Sequence, residues 1–240
     1  MKIDLALNVK LAPLAPDFEK GIRDFLNLLH SLERLPIFNM GWMAHNCQLW
    51  AQEAGFHDKF KEENSGGILG DDQLVVRTIS PMSKESDLTY YFFEQYWQTG
   101  FIDHLSGEIH HPHPDYGLQP QNFINMIDII TQWKRPQHLR FGPFIYMRDH
   151  HPLDRAREGI GWMGWVPFAL NPSDVPEAAL VREMNGGTLI VTQMEFWQAW
   201  PAHPDYSKTA IERAQEVEVR LNLLGVLPTV VELQRGDWGQ

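Results

Sequence analysis

A single cysteine, Cys47, is the whole thiol content of this 240-residue chain. That excludes an internal disulfide framework and fits a reducing compartment, where Cys47 reads more readily as a small buried hydrophobe than as a nucleophile. Long apolar runs are missing too. No stretch nears the roughly 20 residues a spanning helix requires, and Met1-Lys2-Ile3-Asp4 opens no charged leader with a long apolar stretch and cleavage site behind it. A cytoplasmic protein with no membrane segment is expected. Basic residues are scarce: 20 Lys+Arg stand against 31 Asp+Glu, a net charge of -11. Affinity for phosphates draws on Lys and Arg, so direct binding to DNA or RNA is not expected. Gly66-Gly67 and Gly186-Gly187 lack the following Lys-Ser/Thr of a phosphate loop and read as turns.

What is plentiful is aromatic surface and acid. Nine tryptophans and 12% aromatics read first as a well-filled core, but Trp and Tyr are also enriched at binding surfaces, where they supply rigid contact area. The acid is uneven. Residues 1–120 hold nine Lys+Arg against seventeen Asp+Glu, a net of -8, and residues 121–240 hold eleven against fourteen, a net of -3. An acidic field of this kind keeps a protein soluble and speeds its encounter with a basic partner.

Periodicity places the elements. Phe18, Ile22, Phe25, Leu26, Leu29 and Leu32 recur at helical spacing over 17–35, with Asp17 as the cap, and Phe123, Ile124, Ile127, Ile130 and Trp133 do so over 120–133. Residues 73–79 read as a strand, and the aromatic run 87–97 leans the same way. The His/Pro-rich 109–114 reads as a loop. Strands are expected over 141–147, 161–170, 187–193 and 226–233. The longest helix spans 204–224, ended by Gly225, with Glu218 interrupting its apolar stripe at an edge or in a pair. Helices and strands intermix without the regular alternation of a doubly wound fold. The expectation is one α+β domain over 1–240, an antiparallel sheet with packed helices.

Reactive constellations are thin. His110-His111-Pro112-His113, with Asp103, His104, Glu108 and Asp115, has the residue types for zinc, and a metal-dependent hydrolase on this 103–115 cluster is the alternative function. Adjacent histidines in an extended segment point apart, however, and no two-ligand helix spacing is present, so structural histidines are the better reading. His150-His151, beside Asp149 and Asp154, takes the same reading. Glu94, Asp103, Glu195 and Asp205 offer carboxylates but no pair with acid–base geometry. No catalytic residue, metal or cofactor is assigned, and a binding protein rather than an enzyme is expected.

Residues 161–228 resemble the immunity-protein 52 family of bacterial polymorphic toxin systems. The resemblance lies in Gly161-Trp162-Met163-Gly164-Trp165-Val166-Pro167, Val175-Pro176-Glu177-Ala178, Gly187-Thr188-Leu189-Ile190-Val191-Thr192, then Ala214, Glu218, Arg220, Leu221 and Leu227-Pro228. It implies an α+β fold and a protein that neutralises a cognate toxin, of a nuclease class resembling restriction endonucleases and delivered by machinery such as type VI secretion. Two mechanisms suit an acidic inhibitor of a nuclease: carboxylates that imitate the phosphate backbone and plug the cleft, or binding elsewhere. For the first, charge placement nominates Glu62, Glu63, Asp71, Asp72, Glu85, Asp87, Glu94, Asp103 and Glu108.

Overall fold

Alternation sets the centre of the fold. Leu5, Leu7, Val9 and Leu11 are buried while Ala6, Asn8 and Lys10 between them are only half-buried, the period of two that an extended chain gives. The computed structural model describes residues 3–12, 18–38, 43–44, 73–81, 90–98, 103–110 and 118–239. In it β1 (Ile3–Leu11) pairs with β5 (Asp103–His110) on one side and β6 (His138–Pro143) on the other. The other strands are β2 (Met43–Ala44), β3 (Gln73–Pro81), β4 (Tyr90–Gln98), β7 (Met163–Val166), β8 (Leu180–Met184) and β9 (Gly187–Val191). Their order is β2-β3-β4-β5-β1-β6-β7-β9-β8, and each pairing is antiparallel.

One face of this sheet carries the main core. Phe25, Leu28, Leu29 and Leu32 of α1 (Phe18–Leu32) and Phe123, Ile124, Ile127 and Ile130 of α2 (Pro120–Trp133) share a cluster with Leu5, Leu105, Leu139, Trp165 and Leu189. Their i, i+3, i+4, i+7 spacing is the stripe by which a helix lies on a sheet. The Trp133 indole N–H donates to the Asp24 carbonyl at 2.7 Å, tying α2 to α1. The opposite face is covered at the β7–β9 end by α3 (Lys208–Leu223). There Val217 and Leu221 pack with Val166 and Ile190, joined by Ile160, Val175, Val226 and Leu227.

Ends are fixed by local chemistry. The Ser207 hydroxyl accepts from the Ala210 N–H at 3.2 Å and caps α3. Gly225, at φ 71°, closes it: its N–H reaches the Asn222 carbonyl and the Val226 N–H the Leu221 carbonyl, the Schellman arrangement. Asn185 and Gly186, both at positive φ (50° and 77°), form the two-residue turn between β8 and β9. Immediately after it, a Cβ on Gly187 would overlap the Trp165 ring and the Val166 carbonyl oxygen. Gly187→Ala is expected to cost about 2 kcal/mol by overpacking, read as a lower midpoint in urea unfolding.

Three sequence expectations are corrected. The strand expected over 141–147 stops at Pro143, and the chain turns helical, with a π-turn over Tyr146–His150 in which the His151 N–H donates to the Tyr146 carbonyl at 3.1 Å. Tertiary bonds from Tyr146 and His151 outweigh β propensity there. The strand expected over 226–233 is instead the short helix α4 (Val230–Gln234), nucleated by a capping box in which Thr229 and Glu232 bond reciprocally. The loop expected from residue 109 gives way to β5, which continues to His110.

Candidate functional site

Four donors converge on one buried carboxylate. Glu218, 1% exposed, projects from α3 toward the segment leading into β7. Its Oε1 accepts from the Ile160 and Gly161 N–H groups at 2.7 and 2.9 Å. Its Oε2 accepts from the Tyr146 hydroxyl at 2.9 Å and lies 2.7 Å from His151 Nδ1. The other His151 nitrogen, Nε2, is 3.1 Å from the Arg157 carbonyl, so the imidazolium form satisfies both ring positions as a donor. Burial opposes that charge, but the bond to Glu218 and its negative charge prevail, and the His151 pKa is raised. Burial, reinforced by Glu218, raises that of Tyr146 as well.

Gly159 and Gly161 make the close approach possible. A Cβ on Gly159 would run into the Glu218 carboxylate, and Gly161 adopts φ 70°. A carboxylate beside a histidine and a tyrosine whose pKa values are both raised has the composition of a catalytic group. Their geometry argues otherwise. A carboxylate offers about four lone-pair sites, and here all four are taken by the protein itself, with no approach from solvent. The junction joins α3, the π-turn and the start of β7 into one body; it holds structure and leaves nothing for a substrate.

A second polar cluster lies on the sheet face opposite the main core. Asn8 and Lys10 of β1 stand opposite Arg140 and His138 of β6. Glu158 comes over them, 3.0 Å from Arg140 Nη1 and 3.9 Å from Lys10 Nζ. Burial favours the neutral form of Glu158, but Arg140, His138 and Lys10 hold its pKa below the usual carboxylate value. Burial lowers the pKa of Lys10, with Glu158 opposing. His138 is wholly buried, neither ring nitrogen has a hydrogen-bond partner among the described residues, and burial pushes its pKa down to about 4.

The sequence candidates fare unevenly. Glu62, Glu63, Asp71, Asp72, Glu85 and Asp87 lie outside the described residues. Glu94 takes the β4 position opposite Arg77 and Ser106, and Glu108 is half-buried on β5 opposite Ala6. Asp103 is buried at 1% exposure opposite Leu11, where its charge acts on Lys134, so it adds nothing to an exposed acidic face. The same placement separates Asp103 from His104 and Glu108, which alternate to the other side of β5. Among the described residues no three His, Cys, Asp or Glu side chains are grouped to hold a metal ion. Trp162 and Trp165 both enter the main core, their indole N–H groups bonded to the Gln193 and Met184 carbonyls. His151, discounted in the sequence, proves to be half of the Glu218 pair; the polar break in the α3 stripe was its trace.

Exposed large apolar side chains, among the described residues, fall in two groups. Met194, Trp200 and Tyr206 precede α3, and Val219, Leu223, Leu224, Val230 and Val231 surround its end, with Leu223 at 74%. No described helix is long and apolar enough to cross a membrane.

The class is thus an α+β protein built on an antiparallel sheet, with its motif residues spent on a sealed internal junction. No protein-family model matches the chain, and no curated protein does. Among solved structures it is similar to the Pseudomonas aeruginosa type VI secretion system protein PA0821, at a TM-score of 0.55 and 11% identity over 91% of this chain and 73% of that one. At that identity the likeness is one of fold.

Proposed function

We propose that this chain is an immunity protein of a type VI secretion or related polymorphic toxin system, which binds a cognate nuclease toxin and blocks it without catalysis of its own. The Glu218 junction carries the reading. Gly161 and Glu218, two residues of the immunity-protein 52 resemblance 57 positions apart, meet in a saturated, buried bond. Residues of that motif are therefore spent on a rigid scaffold, with no carboxylate oxygen of the junction left for a substrate. The shared fold with a type VI secretion protein and the net charge of -11, suited to a basic nuclease, support the same reading. The test is titration calorimetry against the catalytically inactivated C-terminal domain of the toxin encoded beside this protein, with a DNA-cleavage assay of the active domain. Nanomolar binding with loss of cleavage is expected; full cleavage at saturating protein would refute the proposal.

A further inference from the structure

We propose that the loop 194–206 is the docking element for a basic protein surface, an inference that rests on the immunity reading and gives its toxin a place to bind. The loop is anchored at its base and presented at its tip. Trp197 and Ala199 are wholly buried, Trp197 edge-on to Tyr146 at 5.3 Å, and Phe196 packs edge-on against Trp162 at 5.6 Å. Gln198 donates its N–H to the Asp205 carbonyl at 2.8 Å and accepts from the Ser207 N–H at 3.2 Å, which pins the two ends together.

Between those ends, two successive turns fix the tip. The His203 N–H reaches the Trp200 carbonyl at 2.9 Å and the Tyr206 N–H the His203 carbonyl at 3.0 Å. The Asp205 N–H donates to His203 Nδ1 at 3.1 Å, and Pro201 and Pro204 restrict the backbone further. On this frame Met194, Trp200 and Tyr206 are each 39% exposed. Trp and Tyr give large contact areas with few rotatable bonds, and a loop already ordered before contact loses little entropy on binding.

Charge selects the partner. From 194 to 207 the chain carries Glu195 and Asp205, both exposed, and no Lys or Arg. Aromatic anchors with an acidic rim fit a basic surface holding an apolar pocket, such as the substrate cleft or flank of a nuclease. The second apolar group differs. Beside Val219 and Leu223 stands a cation, Arg220, in an ion pair with Glu177 at 2.9 Å, whereas the loop holds no Lys or Arg and its only basic group, His203, lies 3.7 Å from Asp205.

The experiment uses the full chain and the inactivated toxin domain as probe. Trp200→Ala and Tyr206→Ala are each expected to raise Kd about 30-fold. Ala202→Arg, at the exposed tip where no packing is lost, is expected to raise it about tenfold by setting a cation against a basic surface. Leu223→Ala is expected to leave Kd unchanged, and thermal unfolding of each variant confirms that the fold persists. If the wild-type protein binds and the three loop variants bind as tightly, or only Leu223→Ala weakens, the docking loop is refuted while the immunity reading stands. No binding by the wild-type protein overturns both.

Discussion

Glu218→Gln is expected to lower the unfolding free energy by about 4 kcal/mol at pH 7, measured by urea denaturation. The carboxylate accepts from two backbone N–H groups at Oε1 and faces Tyr146 and His151 at Oε2. A carboxamide can keep its oxygen toward the two backbone N–H groups, but its NH2 group then faces Tyr146 and His151, which must turn from donors into acceptors, His151 by giving up its charge. Four bonds to a charged group become neutral ones, each weaker by about 1 kcal/mol, and His151 loses the negative charge that raises its pKa. Tyr146→Phe removes a single donor and leaves the carboxylate intact, so it is expected to cost only about 1 kcal/mol. A Glu218→Gln loss no larger than that of Tyr146→Phe would mean that the junction does not hold the fold.

The same substitution reaches beyond the junction, since Tyr146 both bonds Glu218 and packs edge-on against Trp197 at the base of the 194–206 loop. Scaffold and proposed docking element are therefore neighbours in the packing. This division explains why the strongest sequence pattern looks inert. The residues of 161–228 that resemble the immunity family largely fix geometry, and the surface that would meet a partner sits on side chains of no fixed motif.

How much was legible follows from how local each determinant is. The sheet with packed helices, the helix over 120–133 and the stop at Gly225 rest on spacings within a few residues, and they stand, while the helix expected over 204–224 begins only at Lys208, after the Ser207 cap. Local signals were also there to be read: the Leu5, Leu7, Val9, Leu11 alternation of β1, Asn185-Gly186 as a hairpin turn, and Thr229-Val230-Val231-Glu232 as a capping box. β5 was hidden because Gly107 stands in its inward row and His104, Ser106 and Glu108 fill the other, masking a central strand as a polar segment. The turn after Pro143 was not legible at all. It depends on a bond between His151 and Glu218, 67 residues apart, and on burial that no window of sequence contains. Asp103 counted as an accessible acid for the same reason, since charge is visible in sequence and burial is not.

Acid sensitivity is expected to centre on His138. Burial holds its folded pKa at about 4, against an ordinary value of 6.5. Between those values the unfolded chain binds a proton that the folded one refuses, so stability is complete above pH 6.5 and declines as the pH falls toward 4. A difference of this size corresponds to about 3 kcal/mol across the window. Glu158 adds a loss at lower pH: its folded pKa lies below the ordinary 4.5, so its contribution disappears as the pH falls through that depressed value. His151 acts at the other end. Its pKa is raised above 6.5 by Glu218, so its contribution is complete below 6.5 and lost as the pH rises through the folded value. The two histidines together place maximal stability near neutrality. His138→Leu removes the titrating group while keeping the site filled, and urea unfolding of both proteins between pH 7 and 4.5 separates the causes. The wild-type protein is expected to lose about 2–3 kcal/mol over that range and the variant less than half as much. Equal acid slopes would move the origin of the sensitivity away from His138 and onto the carboxylates.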